Sequence, residues 1–481
     1  MSTSLMIEPT VDRRAAVLGH RRPGTGLVLI LLAGVLARLV LWYAFRDAPI
    51  HIWDERDYDT LARNLLETGE FTFHPSDTPT SLRPPLYPAL VAAVYQLTGV
   101  GNFAAVRLVQ AALSLLTVVV AYRLGREITS PRTAVWLAGL CCFYPSLLAY
   151  NNLLLTEVLF TLLLTTSCYW TVLALKRASV GYGVAAGVAL GLAALTRSVV
   201  WLAPPFLAGF LLLTCRAGWA RRLAVAAAVV AAFAATIAPW AVRNTRLQGT
   251  FVAIDTMGGR NFMMGNYEHT PLYRSWDAVA LGGEQSWAAE VWAAYPPEQR
   301  RTQGMVDKLA LRQGLQFVRE HPGLTLERSV VKFFDFWGLE RELIAGADRG
   351  YFGQASGPAL LGLAVVVTGG YAAAAVLALF GLAFAPPADR RGHWLLVCII
   401  AFVCGMHTIV FGHSRYHLPL MPLVLVYAAG AVTHARIIWD RRRTARFAVA
   451  AGLCVVLLAG WTWSFAAVDE GLLAAALRSA G

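Results

Sequence analysis

Charge is what this 481-residue sequence has least of. Asp, Glu, Lys and Arg make up 15% of it, against 57% for hydrophobic residues. Soluble domains carry about 25% charged residues, so a soluble fold is excluded. Cysteine is sparse as well. Most of the seven lie inside apolar runs (Cys141, Cys142, Cys168, Cys398, Cys404, Cys454), with no disulfide or zinc spacing, and read as small core hydrophobes. Walker A, Gly-rich dinucleotide, HExxH and GxSxG motifs are all missing, which argues against a soluble nucleotide or nucleotide-sugar site. Low-complexity tracts and short repeats are missing too.

What fills the sequence instead is a series of apolar runs, each about 15 to 25 residues and long enough to cross or nearly cross a bilayer. The pattern predicts an all-α polytopic membrane protein with about 11 transmembrane helices, at roughly 27–45, 104–123, 133–150, 153–175, 182–196, 198–214, 223–241, 357–384, 394–411, 417–438 and 446–466. The segments at 182–196 and 198–214 are short enough to be one broken pair. Residues 27–45 exceed a secretory h-region and are followed by many further spans, so they read as a first transmembrane helix and not a cleaved signal.

The net charge of +12 raises nucleic acid as a partner. Its placement points to the membrane, because the basic residues sit in short loops at the ends of apolar runs. With a cytoplasmic N-terminus, the inner segments carry Arg13, Arg14, Arg21 and Arg22, then Arg123, Arg126 and Arg132, then Lys176 and Arg177. They continue with Arg216, Arg221 and Arg222, then Arg390 and Arg391, then Arg436 and Arg441 to Arg443. Every predicted inner loop is basic, as the positive-inside rule requires, and no nucleic-acid partner is expected.

Two long segments then fall outside, 46–103 and about 243–355. This divides the chain into an N-terminal membrane module (1–242, with the first outer loop), an extracytoplasmic domain (243–355) and a C-terminal membrane module (356–481). In the second segment, TFVAID (250–255) reads as a strand, GGRNFMMGN (258–266) as a loop, and 298–320 and 323–340 as helices broken at His321-Pro322-Gly323. That predicts a small α/β extracytoplasmic domain. Gly183, Gly187 and Gly191, four apart, mark a close helix–helix contact.

Chemistry concentrates in the first outer loop. His51-Ile52-Trp53-Asp54-Glu55-Arg56-Asp57-Tyr58 opens an amphipathic helix that should lie on the outer membrane surface, with Asp54 at its N-cap and Gly69 just past its end. On spacing alone, Asp54 and Asp57 are a capping pair. Equally, Asp54-Glu55 is a paired acid at the membrane boundary, able to take a proton from an acceptor hydroxyl. Both readings can hold at once. Ser81-Leu82-Arg83-Pro84-Pro85 opens a short helix with Arg83 at its head, either a snorkelling anchor or a contact for an anionic headgroup. Arg38, Glu157, Arg197 and Arg243 sit in or at the edges of apolar runs, and Arg415-Tyr416 sits at a span start. Ionisable residues there are costly and point to function. Arginines converging with carboxylates suit a departing lipid phosphate and a hydroxyl acceptor. His407, His413 and His417 form the nearest approach to a metal set, without regular spacing.

These segments, in order, resemble the GT-C membrane glycosyltransferases of the protein O-mannosyltransferase and aminoarabinose-transferase type: WDERDY (53–58), RPPLYP (83–88), LLTEVLF (154–160), ALTRS (194–198), PWAVRN (239–244) with GGRNFMMGN, and SRYHLPLMP (414–422). The resemblance implies a fold of many helices with juxtamembrane helices over an outward cavity, and a polyprenyl-phosphate-linked sugar as donor. It implies transfer with inversion to a lipid, glycan or protein acceptor. By the same analogy Asp54 is the base, Glu55 and Glu157 are supporting acids, and Arg83, Arg197, Arg243 and Arg415, with Tyr416, hold the phosphate. Some such enzymes bind a divalent metal near the first-loop acids and others do not; the sequence requires none. The competing expectation is a flippase or transporter for the same lipid. It would place its charges near the membrane midplane and often shows inverted repeats, and no clear repeat is present.

Overall fold

The computed structural model describes residues 24–75, 78–353 and 356–464. Arg13, Arg14, Arg21 and Arg22, on which the expected N-terminal orientation partly rests, lie outside them.

The chain opens with α1 (Thr25–Phe45), followed by the loop helices α2 (Trp53–Glu67) and α3 (Leu86–Thr98). The next helices are α4 (Phe103–Ile128), α5 (Pro131–Phe143), the short α6 (Pro145–Ala149), α7 (Glu157–Arg177), α8 (Val180–Ala194), α9 (Ala203–Thr214) and α10 (Trp219–Gln248). A long inter-span segment holds α11 (Gly258–Met264), α12 (Trp287–Ala294), α13 (Gln303–Glu320), α14 (Pro322–Phe336) and α15 (Glu342–Asp348). The chain then returns through α16 (Gly357–Phe384), α17 (Arg390–Ile409), α18 (Met421–Thr433), α19 (Ala435–Asp440) and α20 (Ala445–Trp463).

Among the described residues, 8 helical segments are long and apolar enough to cross a membrane, or 9 if α5 and the helical turns after it, bent by 52°, form one broken span. This is a multi-pass membrane protein. The two further spans expected from sequence are the shorter helices α8 (15 residues) and α9 (12 residues), joined by a turn at Ser198–Val200. The break puts Arg197 and Ser198 inside the bundle.

Burial explains the layout. In α7, 78% of the apolar stretch is buried, against 17% in both α1 and α20. The first is the central post, and the other two are rims whose leucines and valines face lipid. Asn102 caps α4 by accepting from the Ala105 N–H, and Ser130 caps α5 ahead of Pro131. The glycines of α8 allow the close contact expected of them: a Cβ at Gly187 would lie 2.3 Å from the Val229 carbonyl oxygen on α10.

Three expectations need correction. GGRNFMMGN, expected to be a loop, forms the helix α11 over Gly258–Met264. No strand occurs among the described residues, so the inter-span segment is helical and not α/β. TFVAID has no neighbouring strand; its backbone is held by single hydrogen bonds instead, from Trp240 and Asn244 to the Ile254 carbonyl and from the Thr256 N–H to the Ser81 carbonyl. The helix carrying Asp54 also does not lie with its apolar face on lipid. Tyr58, Leu61 and Ala62 are buried within the protein, with Tyr58 edge-on to Tyr87 of α3.

Candidate active site

The site starts from the first turn of α2. The helix begins at Trp53, so Asp54 is its second residue and not its cap. Glu55 takes the capping duty: one oxygen accepts from the His51 and Ile52 N–H groups (3.0 Å each), the other from the Leu154 N–H (2.9 Å). Buried and fully engaged with backbone, Glu55 braces the first loop against the segment that leads into α7. One helical step away, Asp54 points elsewhere, and Asp57 follows it three residues on along the same face.

Both acids grip Arg83. Its Nη2 lies 2.8 Å from Asp54 Oδ1 and 2.7 Å from Asp57 Oδ2, and its Nε donates to Asp57 Oδ2 at 3.0 Å. Pro84 and Pro85 follow Arg83, and the Leu86 N–H anchors that turn to the Leu195 carbonyl at 3.0 Å. Arg83 therefore sits at the head of α3, beside the end of α8.

Two more arginines arrive from distant elements. Arg415 opens the turn before α18, where His413 accepts from its backbone N–H. Its Nη1 is 3.2 Å from Asp54 Oδ2, and its Nε donates to Glu157 Oε1. Arg197, in the break after α8, also reaches Glu157 Oε1 (2.8 Å) and the Thr156 hydroxyl (3.1 Å). Its guanidinium lies 5.4 Å from the Tyr416 ring centroid, and Tyr416 stacks on His407 at 4.3 Å. Asp54 thus bridges Arg83 and Arg415, and Glu157 bridges Arg415 and Arg197. Three carboxylates balance three guanidiniums.

The electrostatics divide the two α2 acids. Burial pushes the Asp54 carboxyl up, but Arg83, Arg415 and Arg197 outweigh it and hold its pKa below the usual carboxylate range. For Asp57, burial wins over its Arg83 contacts and its pKa is raised. Asp54 is held ionised, while Asp57 takes up a proton more readily.

Of the residues predicted from sequence, Asp54, Glu157, Arg83, Arg197 and Arg415 meet in one cluster, with Tyr416 alongside. Glu55 is next to it in the chain but committed to backbone. Arg243 stands apart: it donates to the Thr80 carbonyl (2.9 Å) and Asn244 (2.8 Å) and stacks 4.4 Å from Trp240. It supports the loop ahead of Arg83. Sequence reading missed Asp57 as an arginine partner, although its spacing from Asp54 carried the signal. Asp255 was missed with it; no periodic signal exposes an acid in an irregular segment.

The histidines do not form a metal centre. Both ring nitrogens of His417 are engaged, by the Phe336 carbonyl (2.6 Å) and Glu340 (3.0 Å), while His407 lies under Tyr416. No group of three or more His, Cys, Asp or Glu is arranged to hold a metal among the described residues.

Comparison with known proteins follows this geometry. The family model described as dolichyl-phosphate-mannose-protein mannosyltransferase matches residues 82–242, a third of the chain, from the head of α3 into α10. No curated protein sequence matches. Among solved structures, the Archaeoglobus fulgidus oligosaccharyltransferase AglB, in complex with an inhibitory peptide and a dolichol-phosphate, is 16% identical with a TM-score of 0.51. The match covers 92% of this chain and 56% of that one. The apo form of the A. fulgidus oligosaccharyltransferase gives 17% identity, a TM-score of 0.51 and coverages of 92% and 55%. ArnT from Cupriavidus metallidurans in the apo state is 18% identical with a TM-score of 0.41, covering 86% of this chain and 79% of that one. The chain therefore spans a little over half the length of the oligosaccharyltransferase whose fold it shares. The likeness to the GT-C membrane glycosyltransferases that the order of motifs implies is borne out, by sequence over residues 82–242 and by fold over nearly the whole chain.

Proposed function

We propose that this protein is a membrane glycosyltransferase that moves a sugar from a polyprenyl-phosphate donor to an acceptor hydroxyl or amine, with Asp54 as general base. One observation carries the reading: Asp54 lies between two arginines from distant elements, Arg83 and Arg415, with a third, Arg197, one carboxylate away. The AglB complex with a dolichol-phosphate, a lipid phosphate on the same fold, supports the choice of donor.

The chemistry follows from charge balance. Within the site each arginine is neutralised by a carboxylate. A phosphodiester brings one more negative charge and competes for the same guanidinium forks, to which its geometry is suited. As Arg83 and Arg415 turn to the phosphate, Asp54 loses the cations that keep it weakly basic. Donor binding in this way readies the base. The freed carboxylate removes the acceptor proton, the acceptor attacks the sugar carbon from the side opposite the phosphate, and the configuration inverts. The leaving lipid phosphate gains charge against Arg83, Arg197 and Arg415, where stabilisation matters most.

The site is assigned to the extracytoplasmic face. It lies at the ends of the spans opposite the basic loops Arg123–Arg132, Lys176–Arg177 and Arg216–Arg222. The inter-span segment with α11–α15 borders it, with Trp276 against Tyr416, and meets the acceptor.

The test is incubation of the purified protein with radiolabelled polyprenyl-phosphate sugar in lipid. Label should appear on acceptor or in water, and Asp54→Asn should abolish its release while still binding the lipid. Release at the wild-type rate from that variant sinks the base assignment. Lipid crossing the bilayer with its sugar bond intact favours a flippase instead.

A further inference from the structure

A second polar group lies near Arg83, and the phosphate chemistry makes no use of it. Its backbone is pinned on both sides. Trp240 Nε1 and Asn244 Nδ2 each donate to the Ile254 carbonyl at 2.8 Å, and the Thr256 N–H donates to the Ser81 carbonyl at 2.9 Å. Between these anchors is Asp255. Its half-buried carboxylate accepts from the Met257 N–H (3.2 Å) and lies near Ser198, next in sequence to Arg197. It is in electrostatic reach of Arg83 and Asp307.

Five residues on, in the first turns of α11, is Arg260 of the GGRNFMMGN segment. Asp307 fixes its backbone N–H (3.0 Å), and the Gln303 carbonyl takes its Nη2 (3.2 Å). Its guanidinium lies 5.6 Å from the Trp287 ring centroid and in electrostatic reach of Asp307 and Asp255. Its Nε is buried and has no hydrogen-bond partner. A buried donor left open is costly. In a segment held this firmly, it marks a place for an outside acceptor.

The charges select the ligand. An anion would suit Arg260 but would meet Asp255 and Asp307. An amine would suit Asp255 but would meet Arg260 and Arg83. A neutral hydroxyl, which both donates and accepts, satisfies the acid and the open Nε together, and the Trp287 indole stacked on Arg260 adds an apolar neighbour. We propose that Asp255 and Arg260, with Ser198 and Trp287, form a subsite for a neutral, hydroxyl-rich ring, adjoining the arginines that take the lipid phosphate. This deepens the glycosyltransferase reading and rests on it. The ring belongs either to the donor sugar or to a glycan acceptor, and the experiment separates the two.

The full-length protein in lipid nanodiscs, wild type, Asp255→Asn and Arg260→Lys, is titrated with bare polyprenyl phosphate and with polyprenyl-phosphate sugar, and is assayed for transfer to acceptor and to water. Thermal melts confirm that the variants fold. Both variants should bind bare polyprenyl phosphate as the wild type does, because it has no ring. If the ring is the donor's, affinity for the sugar-carrying lipid falls by about tenfold, the scale of one lost hydrogen bond to a charged group. If it is the acceptor's, donor binding and transfer to water hold while the acceptor KM rises by a similar factor. Wild-type constants for donor and acceptor in both variants overturn the subsite alone. An equal loss for bare polyprenyl phosphate also overturns it, since the residues would then serve the phosphate. A wild-type protein that binds neither lipid overturns the transferase reading and the subsite together.

Discussion

Two buried arginines at the same end of the bundle have opposite surroundings. Arg107, 1% exposed, donates to four backbone carbonyls: Phe45, Arg46 and Ala48 at the end of α1, and Asn152 ahead of α7. Arg415, 13% exposed at its side chain, is held by two carboxylates, Asp54 and Glu157. Carbonyls tied into loops cannot leave, so Arg107 is part of the frame. Carboxylates on side chains can turn aside or take up a proton, so Arg415 remains available to an incoming anion. An arginine's partners, more than its depth, tell whether it is frame or binding group. Asp54 and Glu55 make the same point from the acid side.

The predictions press on this contrast in order of expected size. Asp54→Asn should cut transfer by about 10³-fold or more, within the range general-base catalysis supplies, with donor binding nearly unchanged; single-turnover assays read it. Arg107→Leu comes next and should act on the fold, leaving the Arg46, Ala48 and Asn152 carbonyls without a donor and costing on the order of 3 kcal/mol or more. Its signature is a lowered melting temperature and poor yield, with normal KM in whatever folds. Arg415→Lys should do the opposite: melting temperature within a few degrees, but donor affinity down about tenfold or more because the fork is lost. If the two arginine variants fail in the same way, the contrast is broken.

A smaller effect is expected from pH. Burial raises the Asp255 pKa to about 6, so transfer should decline as pH falls through that value, and Asp255→Asn should flatten the decline. The sign separates activity from stability. An acid whose folded pKa is raised favours the folded chain when protonated, so this loss is one of function and not of folding. Smallest of all, Arg243→Lys should change donor affinity by about twofold or less, since Arg243 holds a loop carbonyl and a tryptophan face.

Much of this was legible in the sequence because membrane proteins write their architecture in hydropathy. The long spans and the α8 glycine contact follow from apolar length and small-residue spacing. The short α8 and α9 mark the limit, since a broken pair and two spans look alike in composition. The Asp54, Arg83, Glu157, Arg197 and Arg415 cluster was anticipated because charge in an apolar setting is conspicuous. Arg243 was equally conspicuous but lies outside that cluster, on a loop carbonyl and a tryptophan face, because its partners depend on the fold. TFVAID misled for a related reason. Its β-branched alternation suits a strand, but a strand needs a neighbour, and here only side chains and one loop carbonyl are available. Glu55 could not be told from Asp54 until the helix start was fixed to one residue.

The central claim is that the arginines paired with carboxylates are those that receive the lipid phosphate. A structure of the full-length protein with bound polyprenyl phosphate tests it most directly. The account predicts phosphate oxygens within hydrogen-bonding distance of Arg83 and Arg415, with Asp54 released from at least one of them. A phosphate bound elsewhere, with the Asp54 bridges to Arg83 and Arg415 both intact, would contradict it.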